Sequence, residues 1–476
     1  MNKEIRREKT IANIRRLIWL YFWLLILEGA LRKWVVPTLS NPLLIVRDPV
    51  VLAIYILAFR ARVFPKNFWT IAIGVISVLS FGVSFVQLLP YLPPLQIALV
   101  SGYGFRANFV HLPLIFVMAR VLRAEDVKRF GWWTLAVVVP MAALMVGQFR
   151  AAPDAFLNRT AGGEGEMMLA ALGKVRTAAT FSFVVGVAAY FALATAFLIW
   201  AALRRDVFKH WLLVAAGTAL LIGTSVSGSR LVVGACAVVV GSLAVIMVMN
   251  PAAVNRFGQT LIFTLILGLI ITRMPIFKEG FNVLSTRFNE VAEVTEKSVS
   301  SGLVDRVAST FGEGFFVLTK APFLGYGLGI GTNAGAKFLT GQMMFLLSEG
   351  EWSRIFLESG PVLGLAYVLW RCALAIWMGF ACLRSVKTGN VLPLLLYSST
   401  VLPLLNGQFG QPTVLGFTCF VAGLTLAARN EPEELEVAPP TNMKPVRRVI
   451  AGRSAYANRL HGPAAPPAHS NGSVDR

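Results

Sequence analysis

The 476 residues would serve two or three soluble domains, but hydrophobic residues make up 56% and charged residues only 14%, against roughly 25% charged in an ordinary globular chain. A formal net charge of +20 would suit a polynucleotide, yet the Lys and Arg gather in the connectors between apolar stretches. That is the positive-inside pattern of membrane insertion, so no nucleic-acid partner is expected. Collagen, coiled coil, wholesale disorder and a small disulfide scaffold are excluded, and an all-α polytopic transmembrane bundle remains.

The N-terminal MNKEIRREKTIANIRR is basic and runs into an apolar stretch that passes signal-peptide length without a small-residue cleavage site, so it reads as a retained first span. Twelve candidate spans follow, near 17–36, 43–61, 68–90, 107–124, 131–149, 178–203, 209–226, 230–249, 258–275, 356–383, 391–406 and 412–428. With an even number of spans both termini share one side. The basic connectors Arg60/Arg62/Lys66, Arg120/Arg123/Lys128/Arg129, Arg204/Arg205/Lys209 and Arg384/Lys387 then all fall on the cytoplasmic face. Residues 1–428 form the bundle, including a large outer helical loop over 276–355 between the ninth and tenth spans. Residues 429–476, rich in Pro, Ala and Asn, read as a disordered cytoplasmic tail.

Within the large loop, Phe288, Val291, Val294 and Val299 recur at helix-like spacing. Val304, Val307, Phe311, Phe315 and Leu318 outline a second amphipathic helix, which Gly325, Gly327, Gly329 and Gly331 end. That glycine run could present backbone N–H groups to an anion. No Gly-Lys-Ser follows it, so it is not a nucleotide P-loop.

An ionisable residue at membrane depth is a functional hypothesis by default. Arg230 in TSVSGSRLVVG stands at the outer edge of a span beside Gly228 and Ser229, small enough to let a bulky anion approach; its alternative is a snorkelling interfacial Arg. Arg176 in VRTAATFSF, taken alone, is an interfacial anchor. Arg306 has Asp305 and Glu313 as partners on a solvated helix face, or an anion as ligand. In SEGEWSRIFLESGPVLGL, Glu349, Glu351, Arg354 and Glu358 cluster at the mouth of the tenth span. There Glu351–Arg354 and Arg354–Glu358 can stack on one helical face as ordinary ion pairs, or hold a carboxylate as general base. EGALRKWVVP puts Glu28 and Arg32 four apart on one face, with Arg47–Asp48 as a partner for that pair. His111 reads as a hydrogen-bonded core residue, and Cys236, Cys372, Cys382 and Cys419 as small core residues. No H-E-x-x-H or Cys/His cluster is present, so neither a metal nor another cofactor is expected.

Three of these places line up with a family. The chain resembles the bacterial O-antigen ligase and O-antigen polymerase superfamily, membrane glycosyltransferases that join lipid-linked glycans outside the cytoplasmic membrane. TSVSGSRLVVG looks like the family's SGSR, and DRVASTFGEGFFVLTKAPFLGYGLGIGTN like its Arg-led helix before Pro-Leu-Gly-x-Gly-x-Gly. VRTAATFSF is similar to its Arg-x-x-Gly-Thr-Phe, with Ala179 in the glycine place. The resemblance covers roughly 170–385. It implies a polyprenyl-diphosphate-linked glycan donor, a glycan or lipid acceptor, and a place in the bacterial inner membrane among its lipids. Arg176, Arg230 and Arg306 would then grip the diphosphate without a metal. The family's histidine is absent: its place falls on or near Glu349, while Glu358-Ser359-Gly360 keeps the Glu-x-Gly. Glu349 or Glu351 would be the base, with Glu349 expected in the cavity and Glu351 structural; Arg354, Glu358, Glu28 and Arg32 would support them. A lipid-linked oligosaccharide flippase and a non-catalytic part of a polysaccharide export assembly are the rival readings.

Overall fold

Backbone polar groups cannot be left unsatisfied in lipid, so long apolar runs fold as helices. A computed structural model describes residues 2–162, 168–204, 206–251, 272–295, 312–342 and 344–430. Over these residues the chain is all-helical, and its one extended pairing is an isolated bridge between Leu169 and Val175. The helices are α1 (Asn2–Ala30), α2 (Arg47–Arg60), α3 (Phe68–Leu88), α4 (Pro94–Phe105), α5 (Leu114–Val121), α6 (Ala124–Arg150), α7 (Val184–Leu203), α8 (His210–Val226), α9 (Arg230–Met249), α10 (Pro275–Thr295), α11 (Asn333–Thr340), α12 (Glu351–Lys387), α13 (Leu392–Asn406) and α14 (Pro412–Ala428). Seven helical stretches among the described residues are long and apolar enough to cross a membrane, and α8, α13 and α14 are shorter apolar helices. This is a membrane protein.

Two of the expected spans take a different form. The stretch 107–124 is not one helix: α4 passes into a π-helical turn, Arg106–Val110, and α5 resumes only at Leu114. The stretch 356–383 is not straight. Gly360 takes φ 72° and ψ 175° inside α12, followed by Pro361, and there the helix doubles back. A straight helix would hold Glu351 and Arg371 about 30 Å apart, yet Arg371 Nη1 lies 2.9 Å from Glu351 Oε1. Gly364 in the second arm packs against Ile355 and Phe356 of the first. Only glycine takes this left-handed backbone without strain, and a Cβ at Gly360 would run into the Phe323 carbonyl. The expected ninth span, 258–275, and the tail from 431 lie largely or wholly outside the described residues.

Contacts between connectors sort the bundle into two ends. Arg15 Nε donates to Val121 O (2.6 Å) and faces Asp126, Asn390 Nδ2 donates to Ala428 O (2.8 Å), and Asn250 Nδ2 to Val386 O (3.4 Å). The exposed cations Arg62, Lys66, Arg120, Lys128, Arg129 and Lys209 all belong to this basic end. The opposite end carries the buried charges. The core between them is mostly aliphatic, with an aromatic seam of Trp19, Phe22, Phe130 and Phe420, stacked at Trp19–Phe130 and edge-to-face at Phe22–Phe130 and Phe130–Phe420, joining α1, α6 and α14.

Candidate functional site

The charged end begins where helices stop short. α13 has 15 residues, about 22 Å of helix against a hydrocarbon core of about 30 Å. It is too short to cross that thickness alone, and at its end the last carbonyls run out of helical partners. Arg371, fully buried on α12, supplies one: Nε donates to Leu404 O (2.9 Å), and Nη2 to Pro403 O and Gly407 O (both 3.1 Å). Its ring contact with Phe409 is 3.8 Å. Glu351 answers from the other side, its Oε1 accepting from Arg371 and from the Phe409 amide (3.3 Å). The break between α13 and α14 is thus satisfied by one guanidinium and one carboxylate.

Arg354 completes this cluster. It donates to both oxygens of Glu351 (3.1 and 3.0 Å), to Glu358 Oε2 (2.6 Å) and to Asn108 Oδ1 (2.8 Å). Glu358 Oε1 accepts from the Gly331 amide (2.9 Å). Both Glu351 oxygens are therefore occupied by cations, deep in protein. Glu349 differs: it is exposed on the rim of a cleft that Thr332, Ser348, Glu351, Arg354, Gln408 and Gln411 also line. Among the described residues its carboxylate has no partner. The cleft holds about 20 Å³, room for a water or one hydroxyl group but not for a sugar ring.

The glycine run turns its amides to acceptors within the protein, the Glu358 carboxylate among them. Tyr326 and Gly327 donate their amides to Leu357 O and Glu358 O, Leu328 to Ser84 Oγ, and Gly331 to Glu358. Its amides are spent on the α12 hairpin and on α3, making the run a joint between the loop and the bundle.

A second cluster adjoins the first. A π-helical turn, Leu31–Val35, follows α1 and turns Arg32 and Lys33 inward; such bulges recur at functional sites. Glu28 meets Arg32 (3.4 Å) and Arg47 (3.0 Å), as the sequence suggested. Asp48 instead holds Arg106 (2.7 Å) and His111 (2.8 Å), and His111 Nδ1 shares a hydrogen bond with the Tyr21 hydroxyl (2.9 Å). Arg47 Nη2 also donates to Pro412 O (2.7 Å) at the start of α14, and Gly416 leaves the space its guanidinium occupies. Arg32, Lys33, Arg47 and Arg106 are four buried cations against two carboxylates, Glu28 and Asp48. Nη1 of Arg47 and Nη1 of Arg106 are buried without a partner among the described residues.

The non-helical segment 175–182 lies over this cluster. Lys33 Nζ donates to Ala179 O (2.6 Å), Arg32 Nη1 to Ser182 Oγ (3.1 Å), and Thr180 Oγ1 to Ile26 O (2.8 Å). Ala179 sits at φ 48°, in the left-handed region a Cβ disfavours. Gln148 holds it there, accepting from its amide (2.9 Å) and donating to its carbonyl (3.2 Å). The other side of the segment meets the start of α9: Thr177 Oγ1 donates to Val226 O (3.2 Å), and Gly228, at φ 57°, packs against Ala170 and Val175. Arg176 and Arg230, both half-buried, thus stand on adjoining segments, with Arg230 Nη1 donating to Arg287 O on α10 (3.0 Å). Arg306 lies outside the described residues.

Reasoning from sequence passed over Lys33, Arg106, Asn108, Gln148 and Arg371. Arg371 carried a signal, a lone cation inside an apolar run, of the kind that marks a membrane site. Lys33 and Arg106 offered less, since each lies at a span edge where snorkelling is the ordinary reading. Gln148 offered none. No protein-family model matches the chain, and no curated protein matches it.

Proposed function

We propose that this protein is a membrane glycosyltransferase of the O-antigen ligase or polymerase type. It bears twelve spans in the bacterial inner membrane, with both termini cytoplasmic and the charged end at the outer face. It transfers a glycan from a polyprenyl-diphosphate carrier to a glycan or lipid acceptor. One observation carries the reading. A single non-helical segment, 175–182, which itself carries Arg176, is held on one side by two of the four buried cations, Arg32 and Lys33, and on the other meets the chain that leads into Arg230. An excess of fixed positive charge in low dielectric attracts and holds a polyanion at little reorganisation cost.

In the transfer the bond from the sugar's anomeric carbon to the diphosphate oxygen breaks, and a bond from that carbon to the acceptor oxygen forms. Polyprenyl diphosphate leaves with the electron pair. Arg176, Arg230 and Arg306 face the charge that develops on the leaving group, their planar forks suited to phosphate oxygens. Glu349 takes the acceptor hydroxyl proton, since Glu351 is engaged by two arginines. The basic connectors at the opposite end support the orientation.

The discontinuous helices favour a second reading, a transporter of lipid-linked oligosaccharide, because broken helices with charges at membrane depth are a transporter device. Against it, the break between α13 and α14 is met by Arg371 and Glu351. Full-length protein reconstituted in vesicles with a polyprenyl-diphosphate oligosaccharide separates the two. Transfer releases free polyprenyl diphosphate and a lengthened or lipid-joined glycan, and R176K or R230K lowers the rate about tenfold, as loss of a bidentate grip would. Movement of intact donor across the bilayer with no release would establish transport instead.

A further inference from the structure

The basic end holds a cavity that none of this chemistry uses. Four elements meet there: the α2–α3 connector at Pro65, Lys66 and Asn67; the end of α5 at Phe116, Ala119 and Arg120; Trp377 on α12; and the end of α14 at Leu426, Arg429 and Asn430. The cavity encloses about 280 Å³, close to the lower size of small-molecule sites. Among the described residues three cations line it and no carboxylate does. The polar neutral groups are already used: Asn67 Oδ1 accepts from the Thr70 amide (3.0 Å), and Asn430 Nδ2 donates to Ala119 O (2.8 Å). Arg429 is held near the Trp377 ring (5.9 Å), and its buried Nε has no hydrogen-bond partner among the described residues. A buried guanidinium donor left unmet costs free energy that a bound acceptor would recover.

The geometry points to a binding site for a phosphate group in this cavity, between Lys66, Arg120 and Arg429. Three cations with no carboxylate partner among the described residues, one of them with a buried donor unmet there, suit the tetrahedral oxygens of a phosphate better than a planar carboxylate or a neutral ligand. Phe116, Leu426 and Trp377 give the apolar wall that glycerol and the first acyl carbons of a phospholipid would follow. Basic pockets between transmembrane helices hold anionic head groups in this manner. The phosphate has two sources, an anionic phospholipid or phosphate from solution. The acidic residues that follow in sequence, Glu431, Glu433 and Glu434, lie outside the described residues.

Native mass spectrometry of the full chain in detergent, with added phosphatidylglycerol or phosphatidylcholine, tests the site. Wild type should keep one phosphatidylglycerol at least tenfold more tightly than phosphatidylcholine. The K66Q/R120Q/R429Q variant should lose that preference. Because Arg429 is partly buried, K66Q/R120Q, which alters only exposed side chains, is the second variant, with a loss of about threefold. Inorganic phosphate at millimolar concentration is the other arm. If it raises the melting temperature of wild type but not of the triple variant, and no phosphatidylglycerol is kept, the site stands and its phosphate comes from solution. A K128Q/R129Q/K209Q control removes equal charge from the same end outside the cavity. Equal binding by wild type and both cavity variants, or an equal loss in the control, overturns the proposal.

Discussion

The two ends of the bundle use the same residue types in opposite ways. At the basic end Arg62, Lys128, Arg129 and Lys209 are exposed, their charge met by water. At the charged end Arg47, Arg354 and Arg371 are buried, and each closes a backbone or carboxylate that would otherwise be unsatisfied in lipid. An arginine's contribution is therefore set by what it would leave behind. Removing an exposed one leaves water, whereas removing Arg371 strips a donor from the carbonyls of Pro403, Leu404 and Gly407 and takes one of the two cations from Glu351.

This contrast is broken most forcefully at Arg371. R371M should cost about 3–5 kcal/mol, the scale for breaking a buried ion pair, and collapse the detergent-solubilised melting temperature. Changes to exposed cations at the basic end, such as Lys128→Gln, should stay within about 0.5 kcal/mol. If the two variants melt alike, the capping account of the α13–α14 break is wrong. Removing Glu351 together with Arg371 should cost less than the sum of the single changes, which a double-mutant cycle would measure.

Asp48 comes next. Its carboxylate accepts from Arg106 and from His111, and charge-assisted bonds contribute about 1.5–3 kcal/mol each in burial. D48N should lower stability on that scale, read as an earlier unfolding transition in thiol-accessibility assays of Cys419, which is buried. An unchanged transition would mean the Asp48 cluster is not part of the cooperative core.

Gly360 sharpens the geometry of the hairpin. G360A forces a Cβ into the left-handed region at about 1–2 kcal/mol and into the Phe323 carbonyl. A cysteine pair across the two arms, at Ile355 and Gly364, should crosslink in the native protein, and G360A should slow that crosslinking. The smallest effect is at Ala179, where A179G should stabilise by up to about 1 kcal/mol because glycine takes φ 48° freely. A loss there would show that the methyl packing outweighs the backbone strain.

Much of the membrane architecture could be read from hydropathy alone, since apolar runs such as 68–90 and 184–203 admit no other fold in lipid. The Glu351–Arg354–Glu358 stack could be read too, because helix geometry fixes contacts three and four residues apart. The hairpin at Gly360 could not: Gly-Pro is an ambiguous signal in a membrane helix, and the reversal is decided by the distant partners Phe323 and Gly325. The same holds for the π-helical turns at 31–35 and 106–110, which exist because Arg32 and Arg106 reach carboxylates on other segments or nearby turns. Local sequence shows that the glycine run could offer amides to an anion, but not that those amides face α12 and α3.

The central claim is that two carboxylates two residues apart divide the work: Glu349 as the base on an open rim, Glu351 as a fixed structural anion. Glu349→Gln and Glu351→Gln, each in the full chain, test it in one experiment that measures melting temperature and glycan release from a polyprenyl-diphosphate donor side by side. Glu349→Gln should melt like wild type and lose transfer, by 10²-fold or more for a missing general base. Glu351→Gln should melt early and keep its rate per folded molecule. Full transfer by Glu349→Gln, with normal melting, would contradict the account.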